Sequence, residues 1–340
     1  MNGKKPLWIV WIVLASLIAL VALVLVGAIC YFRLPIINYY TASEKAFVIP
    51  EITNDYVPQG MHYCPDERVF LLSGYSASGK ASPLIVTDVN GKILQKVTLK
   101  NKDGTPFLGH GGGVAKYRDF VYVAGDDARL HIFSYTDVMA AQYGTGISAV
   151  GEFSLQASES DYLIPAFVTV RENTLVVGEF YREKEYPTPG SHHLTTQAGD
   201  AHYALAVRFT LSESAEFGIG PVPTLAYSLP NQVQGMTFSE DGSKVYLSTS
   251  WALAFSHILE YDMNALERQG DISVLGQSVP LYAMDSAALI KDYKIAPMSE
   301  EMVMLGGKLY VLCESASDQY IFGRLTGGKW CYATELEKMK

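Results

Sequence analysis

Few residues in this chain have the types and spacing for chemistry, and most lie far apart in sequence. His110 sits in the glycine-rich turn GHGGGVA (109–115). A histidine in such a turn can act as general acid or base near neutral pH. Glu179, Glu300 and Glu314 each stand at the end or start of an apolar run, and carboxylates gathered from such places suit calcium. Tyr181 and Trp251 lie beside acidic or hydroxyl residues, in EFYR (179–182) and STSW (248–251). Aromatic faces next to hydrogen-bond acceptors suit sugar rings and other small molecules. Gln59 and Gln234 open two near-identical segments, QGMHYC and QGMTFS. His192, His193 and His202 lie near Asp200 between Arg182 and Ala204. That spacing could ligate zinc, but a polar surface loop explains it more simply. No GxGxxG, Walker A or GxSxG pattern occurs.

What must position these residues is a repeat. A short apolar step, a polar turn and an apolar strand recur at Gln59–Tyr75, Gly112–Asp126, Ala166–Phe180, Gln234–Ser250 and Glu300–Ser315. The starts lie about 50 to 70 residues apart, a period typical of solenoids and propellers. The apolar runs are short, rich in β-branched and aromatic residues, and bounded by Gly, Pro, Asn and Asp, so each unit is β-type. The expected fold is an all-β, five-bladed β-propeller with one N-terminal transmembrane helix. A sixth, degenerate blade hidden in the linker is the alternative count. Blade one reads as QGMHYC, VFLLSGY, PLIVTDV and KILQKVTL, with Asn90-Gly91 as a two-residue hairpin signal. Blade four receives a weak fourth strand near Val279–Met284, and blade five takes QYIFGRL and KWCYATEL as its third and fourth strands.

In a propeller, strand one of each blade lines the channel and strand two returns to the same end. Blade starts and strand-two ends therefore converge on one channel mouth. The expected ligand-binding set is Gln59, His110, Glu179, Tyr181, Gln234, Trp251, Glu300 and Glu314, with Glu300, Glu314 and Glu179 as the calcium ligands and His110 as the catalytic candidate.

The N-terminus is a separate part. Leu7–Phe32 is a continuous run without charge, long enough to span a bilayer as a helix. Lys4 and Lys5 precede it, which by the positive-inside rule puts the N-terminus in the cytoplasm and the propeller outside. A cleaved signal peptide is the rival reading, but its apolar region is normally shorter, about 7 to 15 residues. The parts are then 1–33 (cytoplasmic tip and anchor), 34–55 (linker, with Phe47–Ile52 as a closing strand) and 56–340 (propeller). Beyond the anchor the chain has 23 Lys and Arg against 35 Asp and Glu, so a nucleic-acid partner is not expected. Cys64, Cys313 and Cys331 lie in strands of the first or last blade; they read as small buried hydrophobes, with a bridge at the ring closure as the alternative.

GHGGGVA (109–115), VVGEFYR (176–182) and KLYVLCESAS (308–317) resemble segments of uncharacterised secreted or membrane-anchored propeller proteins of Gram-positive bacteria. More loosely, the repeat is similar to propellers of the gluconolactonase and strictosidine-synthase type. That resemblance implies a metal at the channel mouth held by Glu, Asn and Asp; here only Glu300 and Glu301 stand at a matching blade start. Three functions follow as expectations: binding of a small molecule or glycan at the channel mouth; a calcium-dependent hydrolase of esterase, lactonase or phosphoesterase type; or a protein-interaction platform on the blade sides.

Overall fold

Strand two of each blade is buried on both faces along most of its length, as is the start of strand one, which is why these stretches read as near-continuous apolar runs rather than alternating ones. In the computed structural model, which describes residues 7–320 and 322–339, the strands build five blades, each with four antiparallel strands, and outer strands widen two of the sheets; in blade one Gly146–Ser148 adds a parallel strand beside Ile93–Lys100. Blade one comprises Tyr56–Cys64, Val69–Ser76, Pro83–Asp88 and Ile93–Lys100. Blade two comprises Val114–Tyr117, Phe120–Ala124, Arg129–Ser134 and Gly151–Ser154. Blade three comprises Phe167–Arg171, Thr174–Gly178, Ala204–Leu211 and Ile219–Leu229. Blade four comprises Val233–Phe238, Lys244–Thr249, Ser256–Asp262 and Leu289–Ile295. Blade five comprises Ser299–Leu305, Lys308–Cys313 and Trp330–Thr334, completed by Ser43–Val48 from the other end of the chain. The core is a series of apolar layers between blades. Leu71, Val86 and Val97 of blade one meet Val121, Val123 and Phe133 of blade two, for example.

Ring closure is by mixed strands. Ser43–Val48 runs antiparallel to Trp330–Thr334, pairing Ser43 with Thr334 and Val48 with Trp330. Phe47 from this strand is buried against Phe70 of blade one, with ring centroids 5.4 Å apart. The closing strand thus joins the last blade to the first.

Several outer elements differ from the sequence expectation. The fourth strand of blade four is Leu289–Ile295, not Val279–Met284. Gln277–Ala283 instead pairs with Glu267–Val274 in a hairpin that extends blade three, through parallel pairing of Ala226 with Leu281. Leu275 and Gly276 turn that hairpin with φ of 52° and 71°, a two-residue turn with both residues left-handed. In blade five, no strand is found over 319–325 among the described residues: Phe322–Thr326 is a 3₁₀ turn, and Trp330–Thr334 is strand three. Asn90-Gly91 does turn a hairpin, but in a longer loop: Asp88 N donates to Lys92 O, and Asp88 Oδ1 accepts from the amides of Asn90 and Lys92.

Cys64, Cys313 and Cys331 are buried free thiols. Leu7–Arg33 forms one helix, long and apolar enough to cross a membrane. Lys4 and Lys5, on which the expected orientation rests, lie outside the described residues.

Candidate functional site

A cavity of about 590 Å³ opens at the end of the channel where strand one of each blade begins. Its polar lining includes Gln59, His110, Asp126, Gln234, Ser250 and Glu314, and its aromatic lining is Tyr75, Phe180, Tyr186, Trp251 and Tyr320. Residues from all five blades meet there.

Gln59 and Gln234 reach the cavity, and Glu300 the layer behind Glu314, through irregularities in their own strands. Pairing between strands one and two slips at Pro58/Met61, Val233/Gly235 and Ser299/Met302. Gln59, Gln234 and Glu300 sit in these bulges, which re-aim a side chain at the cost of a ladder bond. The glycines beside them let strands pack at the axis. A Cβ on Gly60 would lie 2.6 Å from Val114 N, and one on Gly113 2.4 Å from Val168 N. The glycines of GHGGGVA thus serve close packing.

Glu314 is the chemical centre. Its side chain is buried, and Gln59 Nε2 donates to Glu314 Oε2 at 2.8 Å. Burial pushes its carboxyl up to about 7, against the lowering effect of hydrogen bonds from Tyr320 and Gln59. Glu300 lies behind it, fully buried, and is raised well above the carboxylate range by burial and then by repulsion from Glu314 and Glu301. Tyr320 also bonds to Tyr75, whose hydroxyl burial pushes up to about 12. Tyr75 in turn meets the His110 ring edge-on, with centroids 4.9 Å apart. His110 Nδ1 lies 2.9 Å from Asp126 Oδ2, and the His110 amide donates to Asp126 Oδ1 at 3.0 Å. That carboxylate raises the His110 pKa above its ordinary value, against partial burial. One wall therefore carries a chain of titratable groups, from Asp126 and His110 through Tyr75 and Tyr320 to Glu314, which Gln59 holds by a hydrogen bond.

The opposite wall is aromatic. Phe180, Tyr186 and Trp251 cluster, with Phe180 and Tyr186 centroids 5.3 Å apart and Phe180 and Trp251 6.2 Å apart. The Arg182 guanidinium covers one face of Trp251 at 3.8 Å and donates to Glu185, a cation–π stack that fixes the indole.

Of the expected set, Gln59, His110, Gln234, Trp251 and Glu314 line the cavity, and Glu300 lies beneath it. Glu179 and Tyr181 do not line it. Glu179 Oε2 lies 2.9 Å from His192 Nδ1 and accepts from Leu205 N at 3.0 Å, with both side chains buried. Tyr181 packs on His193 and Tyr203. The calcium set Glu179, Glu300 and Glu314 is therefore not assembled. Among the described residues no three His, Cys, Asp or Glu side chains are grouped to hold a metal ion. That also removes the zinc reading of the 182–204 segment. Nor is this segment a free surface loop: His192 and His202 are buried, and Glu185, Tyr186, Pro187 and Thr188 wall the cavity. Sequence reasoning missed Tyr320 because its stretch read as a strand, and Tyr186 because its stretch read as a solvated loop.

The pairing pattern defines the molecule as a five-bladed β-propeller carrying an N-terminal apolar helix. No family model matches the sequence, and no curated protein matches it. Among solved structures, the chain is similar to glutaminyl cyclase of Myxococcus xanthus, at 11% identity over 83% of this chain and 90% of that one, with a TM-score of 0.40. It is similar to a protein of Bacteroides fragilis provisionally assigned as a 6-phosphogluconolactonase, at 11% identity over 75% and 77%, with a TM-score of 0.38. It is also similar to hydrazine synthase of Kuenenia stuttgartiensis, at 14% identity and a TM-score of 0.33; the match covers 75% of this chain and 61% of that one.

Proposed function

We propose that this chain is a membrane-anchored, extracytoplasmic propeller that binds a small molecule or glycan in the channel-mouth cavity. The observation that carries the reading is the construction of that cavity. An aromatic wall, with Trp251 held in place by Arg182, faces a polar wall of Gln59, His110, Asp126 and Glu314. A ring with one apolar face and several hydroxyl or amine donors suits both walls at once. The length of the apolar helix, and the resemblance of three segments to extracytoplasmic Gram-positive proteins, support the location.

A second reading is favoured by one observation. Glu314, with its pKa near 7, and His110, raised by Asp126, face the same cavity. A carboxyl titrating near neutrality beside a histidine is suited to general acid–base catalysis, so a hydrolase working through Glu314 and His110 is the alternative. The test is a metabolite and oligosaccharide screen on the full chain in detergent, by thermal shift. Hits that bind the wild type and are lost in both Trp251→Ala and Glu314→Gln support the site. Hits unaffected by either substitution overturn it. Conversion of a hit to product, abolished in Glu314→Gln, replaces the binding reading with the enzymatic one.

A further inference from the structure

The apolar helix does not hang from a loose tether. Phe32, Ile36, Tyr39 and Ala42 are buried, the last three in the core shared by blades four and five. Arg33 Nε donates to the carbonyl of Leu325 at 3.3 Å, and the Tyr40 hydroxyl donates to the carbonyl of Thr326. Tyr31 packs on Phe255, with ring centroids 6.3 Å apart.

Those contacts fall on two particular loops. Phe255 belongs to the connection between strands two and three of blade four; Leu325 and Thr326 belong to the same connection in blade five. The other parts of these loops supply Ser250, Trp251 and Ala252, and Glu314 and Tyr320, to the cavity. The last turn of the helix is thus gripped at the cavity end of the propeller. From there the chain descends between blades four and five to Ser43. Ser43 pairs with Thr334 at the far end of blade five, and the chain then returns as the closing strand. Residues 8–27 are exposed along their whole length, so the helix leaves the body from the cavity end and touches it only near its C-terminus.

We propose that the cavity-bearing face is held against the membrane surface, and that its partner is the lipid headgroup layer. The inference rests on the reading of the helix as an anchor, and is independent of which side of the membrane holds the propeller. A 27-residue helix is about 40 Å long at 1.5 Å per residue. The hydrocarbon core takes about 30 Å of that, leaving only a turn or two before Arg33. Side chains at this level suit an interface. Lys294 Nζ lies over the Phe255 ring at 4.0 Å, and Arg33 lies beside Tyr40; aromatic rings with neighbouring cations are the usual occupants of the headgroup region. Leu253 and Phe322 are exposed on the same two loops.

The test uses the full chain reconstituted in phosphatidylcholine vesicles doped with a nickel-chelating lipid. Nitroxide labels are placed at Leu253→Cys, at Leu108→Cys on the connection from blade one to blade two, and at Asn173→Cys at the opposite channel mouth. Cys30→Ser is the background, since the other three cysteines are buried. Collision with headgroup nickel should be several-fold stronger at Leu253 and Leu108 than at Asn173. Equal collision at all three positions, the strongest collision at Asn173, or contact at Leu253 alone overturns the proposal. An alkaline carbonate wash separates the two readings. Release of the protein removes the anchor and the facing inference with it; retention with equal collision removes the facing inference alone.

Discussion

Replacing Glu314 by glutamine should change how stability depends on pH, with little change in packing. The amide is nearly isosteric and can still accept the hydrogen bond from Gln59. In the folded chain the Glu314 carboxyl holds its proton up to about pH 7, against an ordinary value of 4.5, because burial disfavours the charge. A group whose folded pKa is raised contributes stability that is fully present below its unfolded pKa and is lost as pH rises through the folded one. At 1.36 kcal/mol per pH unit, the rise from 4.5 to about 7 corresponds to about 3 kcal/mol. The wild type should therefore weaken by about this amount between pH 5 and 8, and Glu300 acts in the same direction. Glu314→Gln removes the ionising group and relieves Glu300 of repulsion, so its profile should be flatter and its stability at pH 8 higher. The assay is guanidinium denaturation of the full chain in detergent micelles, followed by circular dichroism at pH 5, 6, 7 and 8. A difference between variant and wild type that stays constant across this range refutes the reasoning, because it means that Glu314 titrates as an ordinary carboxylate.

Three other outcomes follow from the packing. His192→Ala leaves Glu179 buried without its imidazole hydrogen-bond partner; leaving a buried polar group unpaired costs about 1 to 3 kcal/mol, and limited proteolysis should show faster cleavage within 182–204. Phe47→Ala empties a buried site on the closing strand, costs about 3 to 5 kcal/mol, and should lower the thermal midpoint; an unchanged midpoint would separate ring closure from stability. Gly60→Ala pushes a methyl group against the backbone of blade two, and should cost about 1 to 3 kcal/mol, read as a shift in the denaturation midpoint.

The parts of this fold legible in the sequence are those buried on both faces. Val69–Ser76 and Phe120–Ala124 are almost wholly buried, so apolar runs of this kind announce strand two of every blade and give the blade number. Outer strands carry no such mark. Leu289–Ile295 exposes Ile290, Lys291, Asp292 and Lys294, and Glu267–Val274 is mostly polar, so composition hides both. The more apolar Val279–Met284 attracts the assignment that Leu289–Ile295 holds. The convergence of Gln59, His110, Gln234 and Glu314 on one cavity follows from topology alone, because every blade begins at the same channel end. Glu179 is also at a strand-two end, yet it departs from the cavity, because His192 arrives from a segment whose fold no periodicity reveals. Tyr320 and Tyr186 stand in irregular backbone and become visible only in three dimensions.

The central claim is that the channel-mouth cavity holds a small molecule, and the most direct measurement is of what the cavity carries. The full chain, purified from cells in mild detergent, can be stripped of bound compounds and these identified by mass spectrometry, beside Trp251→Ala and Glu314→Gln with unchanged circular dichroism. The account predicts a compound enriched with the wild type and depleted in both variants. No enriched compound, or one retained equally by all three proteins, contradicts it.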